Sequence, residues 1–164
     1  MARRGVLAVL VVVVALIAPA PAYADNSVSA TDDGQRLDLS ITTENCAAST
    51  RVCGATCHAT NHRVPTQNAK FILASVICEW RDGSGVWRTL PFDSPSSSSR
   101  QNSSTSGTTH DFMNLCGNLG LNGDFPMRAR GDGCWIGYND VRHDFRDAGR
   151  LFTTSPYPIA RCRG

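Results

Sequence analysis

Phe71-Ile72-Leu73-Ala74-Ser75-Val76-Ile77-Cys78-Glu79-Trp80 is the most strongly patterned stretch of the chain. It is rich in β-branched and aromatic side chains, which suit a pleated, buried surface. Periodicity alone does not separate a central strand from a buried helix of this length. The neighbouring residues decide between them. Asp82-Gly83-Ser84-Gly85 is a turn signal, and Val86-Trp87-Arg88-Thr89-Leu90 resumes strand character. The pair reads as a β-hairpin. An even loop centred between Gly83 and Ser84 sets Trp80 opposite Trp87, Glu79 opposite Arg88 and Cys78 opposite Thr89. An odd loop breaks that register, and a slip of one residue sends every side chain to the other face.

The same period recurs on either side of the hairpin. Leu37, Leu39 and Ile41 alternate with Arg36, Asp38 and Ser40. Cys53, Ala55, Cys57 and Ala59 share one parity and Thr56, His58 and Thr60 the other, so the cysteines of that strand face inward. Pro65 and Gln67-Asn68 end it. Phe125, Met127 and Ala129 alternate with Arg128 and Arg130, and Gly131-Asp132-Gly133 reads as a turn before Cys134-Trp135-Ile136. Asp25 to Gly34 reads as a loose N-terminal arm. Asp93 to Thr109, almost all Ser, Thr, Asn and Gly, reads as a long exposed loop. Tyr138 to Gly149 is polar, with Val141 and Phe145 spaced for one helical turn. Short strands, frequent turns and no long helical pattern predict an all-β fold, a disulfide-stapled antiparallel β-sandwich with immunoglobulin-like packing.

The N-terminus predicts export. Arg3 and Arg4 precede an unbroken apolar run from Val6 to Ala18, and Ala22-Tyr23-Ala24 is a small-x-small exit. Charge, apolar middle and small-residue exit make a signal peptide, residues 1–24. The run is too short for a membrane span, which needs about 20 apolar residues. The expected mature domain is residues 25–164: removing 24 of 164 residues leaves 140, one ordinary domain. Its charge balances, because 16 basic side chains less Arg3 and Arg4 leave 14 against 14 acidic ones. That balance argues against a nucleic-acid partner, which calls for a basic face. Lys70 is the sole lysine, a bias that fits a GC-rich bacterial genome. In a bacterium the acceptor sequence Asn102-Ser103-Ser104 stays idle.

Seven cysteines, Cys46, Cys53, Cys57, Cys78, Cys116, Cys134 and Cys162, lie beyond the export signal. In an oxidising compartment they read as a disulfide framework using six of the seven. Each of the seven choices of spare thiol leaves fifteen pairings, so the connectivity stays open.

Chemistry is sparse. Cys53-x3-Cys57-His58-x3-His62 has zinc-like spacing, but disulfides are the usual fate of exported cysteines, and no metal or cofactor is implied. Arg142-His143-Asp144-Phe145-Arg146 resembles the His-Asp site of the secreted bacterial phospholipases A2. That resemblance covers about five residues and implies His143 as a base activating water, Asp144 as a calcium ligand, and a helical scaffold. Trp80, Trp87, Trp135 and Tyr138 are candidate binding residues: flat rings stack on the apolar faces of sugars, although such rings also fill cores. The leading expectation is a secreted, non-enzymatic binding module, inhibitor-like or cell-wall associated. Its partner would be an extracellular protein or a cell-surface polymer, with no nucleic acid and no membrane. A small hydrolase using His143 and Asp144 is the rival.

Overall fold

A computed structural model describes residues 26–43, 54–112, 115–120, 122–145 and 150–162. The export segment lies outside the described residues, as do Cys46 and Cys53. The rest is nearly all strand: β1 (Asn26–Asp32), β2 (Gln35–Thr43), β3 (Ala55–Arg63), β4 (Ala69–Arg81), β5 (Trp87–Arg88), β6 (Ser96–Ser103), β7 (Thr105–Phe112), β8 (Gly123–Ile136), β9 (Arg142–Asp144), β10 (Leu151–Phe152) and β11 (Ile159–Cys162), with one short helix, α1 (Leu115–Leu119).

Two antiparallel sheets pack face to face. The smaller runs β1-β2-β3-β7; the larger is built on the β4–β8 pair, with β5 and β6 on the outer side of β4 and β9, β10 and β11 on β8. The core is where the alternating faces meet. Leu37, Leu39, Ile41, Ala55, Cys57, Ala59 and Phe112 of one sheet meet Ala74, Val76, Cys78, Trp80, Met127 and Ala129 of the other. The disulfide-stapled β-sandwich read from the sequence is the observed fold. Cys57 and Cys78 bridge the two sheets, with Cα atoms 5.7 Å apart. Cys116 on α1 is joined to Cys162 on β11, Cα atoms 5.3 Å apart. Cys134 is a free, buried thiol.

Several local expectations are corrected. The β4–β5 hairpin closes through Asp82–Val86, an odd loop, so Trp80 opposes Arg88 and Arg81 opposes Trp87. The Asp82 carboxylate fixes that loop by accepting the backbone N–H of Ser84 and of Val86, each at 2.9 Å. Trp80 and Trp87 therefore sit on opposite faces of the sheet. Glu79 instead pairs with Arg128 (2.7 Å) and Arg130 (3.0 Å).

The Ser/Thr-rich segment is not a loop. Its residues form β6 and β7, which belong to different sheets. These strands carry serine and threonine because their outer faces meet solvent; Ser106, His110 and Phe112 face inward. The N-terminal arm is the edge strand β1, turned into β2 by Asp33-Gly34, both with positive φ (41° and 69°), as a two-residue hairpin requires.

Gly131-Asp132-Gly133 is not a turn but the middle of β8. A Cβ on Gly131 would collide with Leu39 Cδ2, and one on Gly133 would lie 2.7 Å from Asn61 Nδ2. These glycines let the facing sheet approach. Finally, the Val141/Phe145 spacing marks no helix. Val141 is exposed and Phe145 buried, on either side of strand β9.

Candidate functional site

Period-two alternation divides β4 and β8 into an inner face that fills the core and an outer face that lines the surface of the large sheet. On the outer face Phe71 opposes Ile136, Gln101 of β6 opposes Phe71, and Arg142 of β9 opposes Ile136. The register thus lays Gln101, Phe71, Ile136 and Arg142 in one row across four strands. The two apolar members are half-buried and form a floor; the two polar members form its ends.

The β8–β9 turn closes one side. Gly137 donates its N–H to Val141 O (3.0 Å), and Asp140, at φ 61°, donates to Gly137 O (3.0 Å). This tight turn projects Tyr138, whose hydroxyl donates to Asn102 Oδ1 at 3.1 Å. Lys70 reaches Asp140 as an ion pair, and Arg142 donates to Asp144 at 2.8 Å; that carboxylate holds the Arg142 guanidinium above its usual range. The result is an open groove of about 770 Å³ lined by Phe71, Ile136, Tyr138, Gln101, Asn102, Lys70, Asp140 and Arg142, within the size range of ligand sites. Tyr138 is 64 % exposed.

The four aromatic candidates do not share one site, although Trp80 and Trp87 border a common pocket beside Glu79 and Arg130. Trp80 faces inward, 7 % exposed, with Phe125 edge-on at 5.5 Å. Trp87 lies on the outer face, where the Arg128 guanidinium sits 4.3 Å from its ring and 4.2 Å from Phe152, and Tyr157 meets it edge-on. Trp135 is stacked between the Arg63 guanidinium (3.4 Å) and the His143 imidazole (3.9 Å), and its indole N–H donates to Asp33 O. These three rings are engaged by protein groups, so no tryptophan platform forms. Tyr138 alone of the four enters the groove.

The histidine–aspartate neighbours are also apart. His143 and Asp144 are consecutive on β9 and so point to opposite faces. His143 Nδ1 pairs with Asp33 Oδ2 at 3.0 Å, while Asp144 takes Arg142, and neither lines the groove. The phospholipase resemblance implies a helical scaffold, but the pentad begins on strand β9. His110 is buried, receives the Cys78 N–H on Nδ1 (3.3 Å) and meets Asp93 through Nε2 (3.0 Å). It plugs the gap in the sheet edge between β5 and β6. In the zinc-like motif Cys57 is spent in its disulfide, and His58 and His62 lie on the outer face with Thr109 and Asp38 as partners.

Sequence reading misses most of the groove. Side-chain type and the turn after it put Phe71 on a strand and Ile136 beyond a supposed turn, while composition puts Gln101 and Asn102 in a loop, so nothing sets these residues side by side. Comparison with known protein families and with curated proteins finds no family model and no protein that matches this chain.

Proposed function

We propose that this chain is a secreted, non-enzymatic binding module that recognises an extracellular partner through the Tyr138 groove. The observation that carries the reading is the groove itself: a half-buried apolar floor and most of a polar rim held on paired strands, with an exposed aromatic ring on the tight β8–β9 turn. Walls carried on strands lose little freedom on docking, which favours recognition. The histidines support a binding role rather than hydrolysis, since each has a structural partner away from the groove. The two disulfides among the described residues suit an oxidising compartment. No helix among those residues is long and apolar enough to cross a membrane. Together with the N-terminal pattern, the disulfides support export with cleavage after Ala24.

The test is capture. The secreted form, Asp25 to Gly164, immobilised and exposed to cell-wall fractions and culture medium, retains a specific component, and Tyr138→Ala releases it. Equal retention by the variant overturns the groove as the recognition surface. N-terminal sequencing of the exported product is expected to begin at Asp25.

A further inference from the structure

We infer that the groove takes a saccharide, a neutral, hydroxyl-rich sugar unit of an extracellular polysaccharide. This deepens the binding reading above and rests on it. Three features of the site select that chemistry.

The first is the pairing of apolar floor and planar polar rim. Phe71 and Ile136 offer an apolar surface for the C–H face of a sugar ring, and the exposed Tyr138 ring lines the same groove. Around them stand the Gln101 and Asn102 amides, the Asp140 carboxylate and the Arg142 guanidinium. A sugar hydroxyl both donates and accepts. Amides do likewise, and the Asp140 oxygen and the Arg142 N–H groups left outside the two ion pairs add an acceptor and donors for neighbouring hydroxyls.

The second is charge. Lys70 is paired with Asp140 within the rim, and Arg142 with Asp144 just outside it, so each rim cation already holds a carboxylate. A polyanion gains its affinity from unpaired cations, and here both cations are already held.

The third is backbone. The floor is the face of a sheet, not its edge. β4 is paired on both sides through Phe71, with β6 and β8, and β8 is paired through Ile136 with β4 and β9. An extended peptide docks best on an edge, where free N–H and C=O groups complete a ladder, and the floor has none to give. The Tyr138–Asn102 hydrogen bond holds the stacking ring in place before any ligand arrives, which lowers the entropy cost of docking.

The test uses the secreted form with insoluble cellulose, chitin and purified peptidoglycan in a depletion assay, and with soluble cellohexaose and chitohexaose by calorimetry. At least one of these is expected to bind, with affinity unchanged between low and high salt. Tyr138→Ala is expected to weaken binding by about tenfold or more, as truncation of an aromatic contact does. Gln101→Ala weakens it without touching the ring, and Thr60→Ala, on the outer face of the other sheet, leaves it unchanged. A thermal melt of each variant separates lost folding from lost contact, and Gln101→Ala carries the test where Tyr138→Ala misfolds. Failure of every saccharide, undiminished binding by both Tyr138→Ala and Gln101→Ala, or binding that is lost at high salt overturns the inference. A peptide-display selection distinguishes the two levels. A Tyr138-dependent peptide with no saccharide binding overturns the sugar and leaves the groove reading; neither kind of ligand overturns both.

Discussion

Cys134 sits on the outer face of β8 opposite Leu73 and beside Asp144 of β9, only 4 % exposed. Burial pushes its thiol up, and the carboxylates of Asp144 and Asp132 add to that while Arg142 opposes it. Because the thiolate is the nucleophile, Cys134 is expected to resist iodoacetamide in the folded protein and to react in guanidinium; mass spectrometry of the labelled peptide checks both. The same shift couples to stability. With its folded value raised, the native state keeps a proton that the unfolded chain releases. The contribution is whole below the ordinary thiol range and is lost as pH rises from about 8.5 through the raised folded value. Denaturant midpoints of the parent protein should therefore fall faster in alkali than those of Cys134→Ala; parallel curves would mean the thiol is not held neutral. That at least one cysteine is spare is legible from the odd count, but which one is not; among the described residues it is Cys134. Parity places Cys134 on the outer face and Cys57 and Cys78 on facing inner ones, and parity becomes informative only once the sheets are known to face each other. Glu79 shows the same limit. Its buried carboxylate takes two arginines from β8, partners 49 or more residues away in sequence that no local pattern names.

Among the strands, alternation locates β2, β3 and the first half of β8, because one face of each is buried and apolar; β4 is located by its β-branched and aromatic run and the turn signal after it. Alternation fails where both faces are polar or where glycine replaces a side chain. β6 reads Ser-Ser-Ser-Ser-Arg-Gln-Asn-Ser; it is ordered by its ladder with β4, not by its own side chains. Gly131 and Gly133 look like turn residues because glycine supplies turns, yet here they supply closeness. This predicts that Gly131→Ala destabilises the protein by about 1–3 kcal/mol, the usual cost of overpacking a filled core, since Leu39 must yield to the new methyl. Gly83→Ala, with nothing within 4 Å of its Cβ position, is the control and should change the urea midpoint little. Equal midpoints for the two variants would show that the facing sheet relaxes freely. The hairpin loop is subtler still. Trp80 and Trp87 each sit on the strand expected, and a single extra residue in the loop sets them on opposite faces. Asp82 decides this, with its carboxyl held far below the usual range by hydrogen bonds from Ser84, Arg88 and Val86. Capture of a loop by one aspartate side chain is a fine geometric matter that the turn composition alone does not fix.

In the assembled sandwich the two described bridges have unequal duties. Cys57–Cys78 ties sheet to sheet across a sequence separation of 21, and Cys116–Cys162 ties α1 to the last strand across 46. Loop-closure entropy assigns them about 3 and about 4 kcal/mol respectively, so the longer loop carries the larger share in that account. Geometry separates their effects on the groove. β8 begins at Gly123, which pairs with Cys162, and ends at Ile136, in the groove floor. Fourteen residues of strand set the bridge and the groove about 40 Å apart at roughly 3.3 Å per residue. Perturbations that far apart, with no shared partner, act independently. The double variant Cys116→Ala/Cys162→Ala is therefore expected to lower the denaturant midpoint and to speed hydrogen exchange in β11 and the start of β8. Protection of Phe71 to Val76 and Tyr138-dependent retention should stay as they were. Cys57→Ala/Cys78→Ala loosens the contact between sheets and is expected to raise exchange on both, β4 included. If the distal variant also abolished retention, the sandwich would be answering as one cooperative body, and the picture of a groove carried by its own end of the β4–β8 pair would fail.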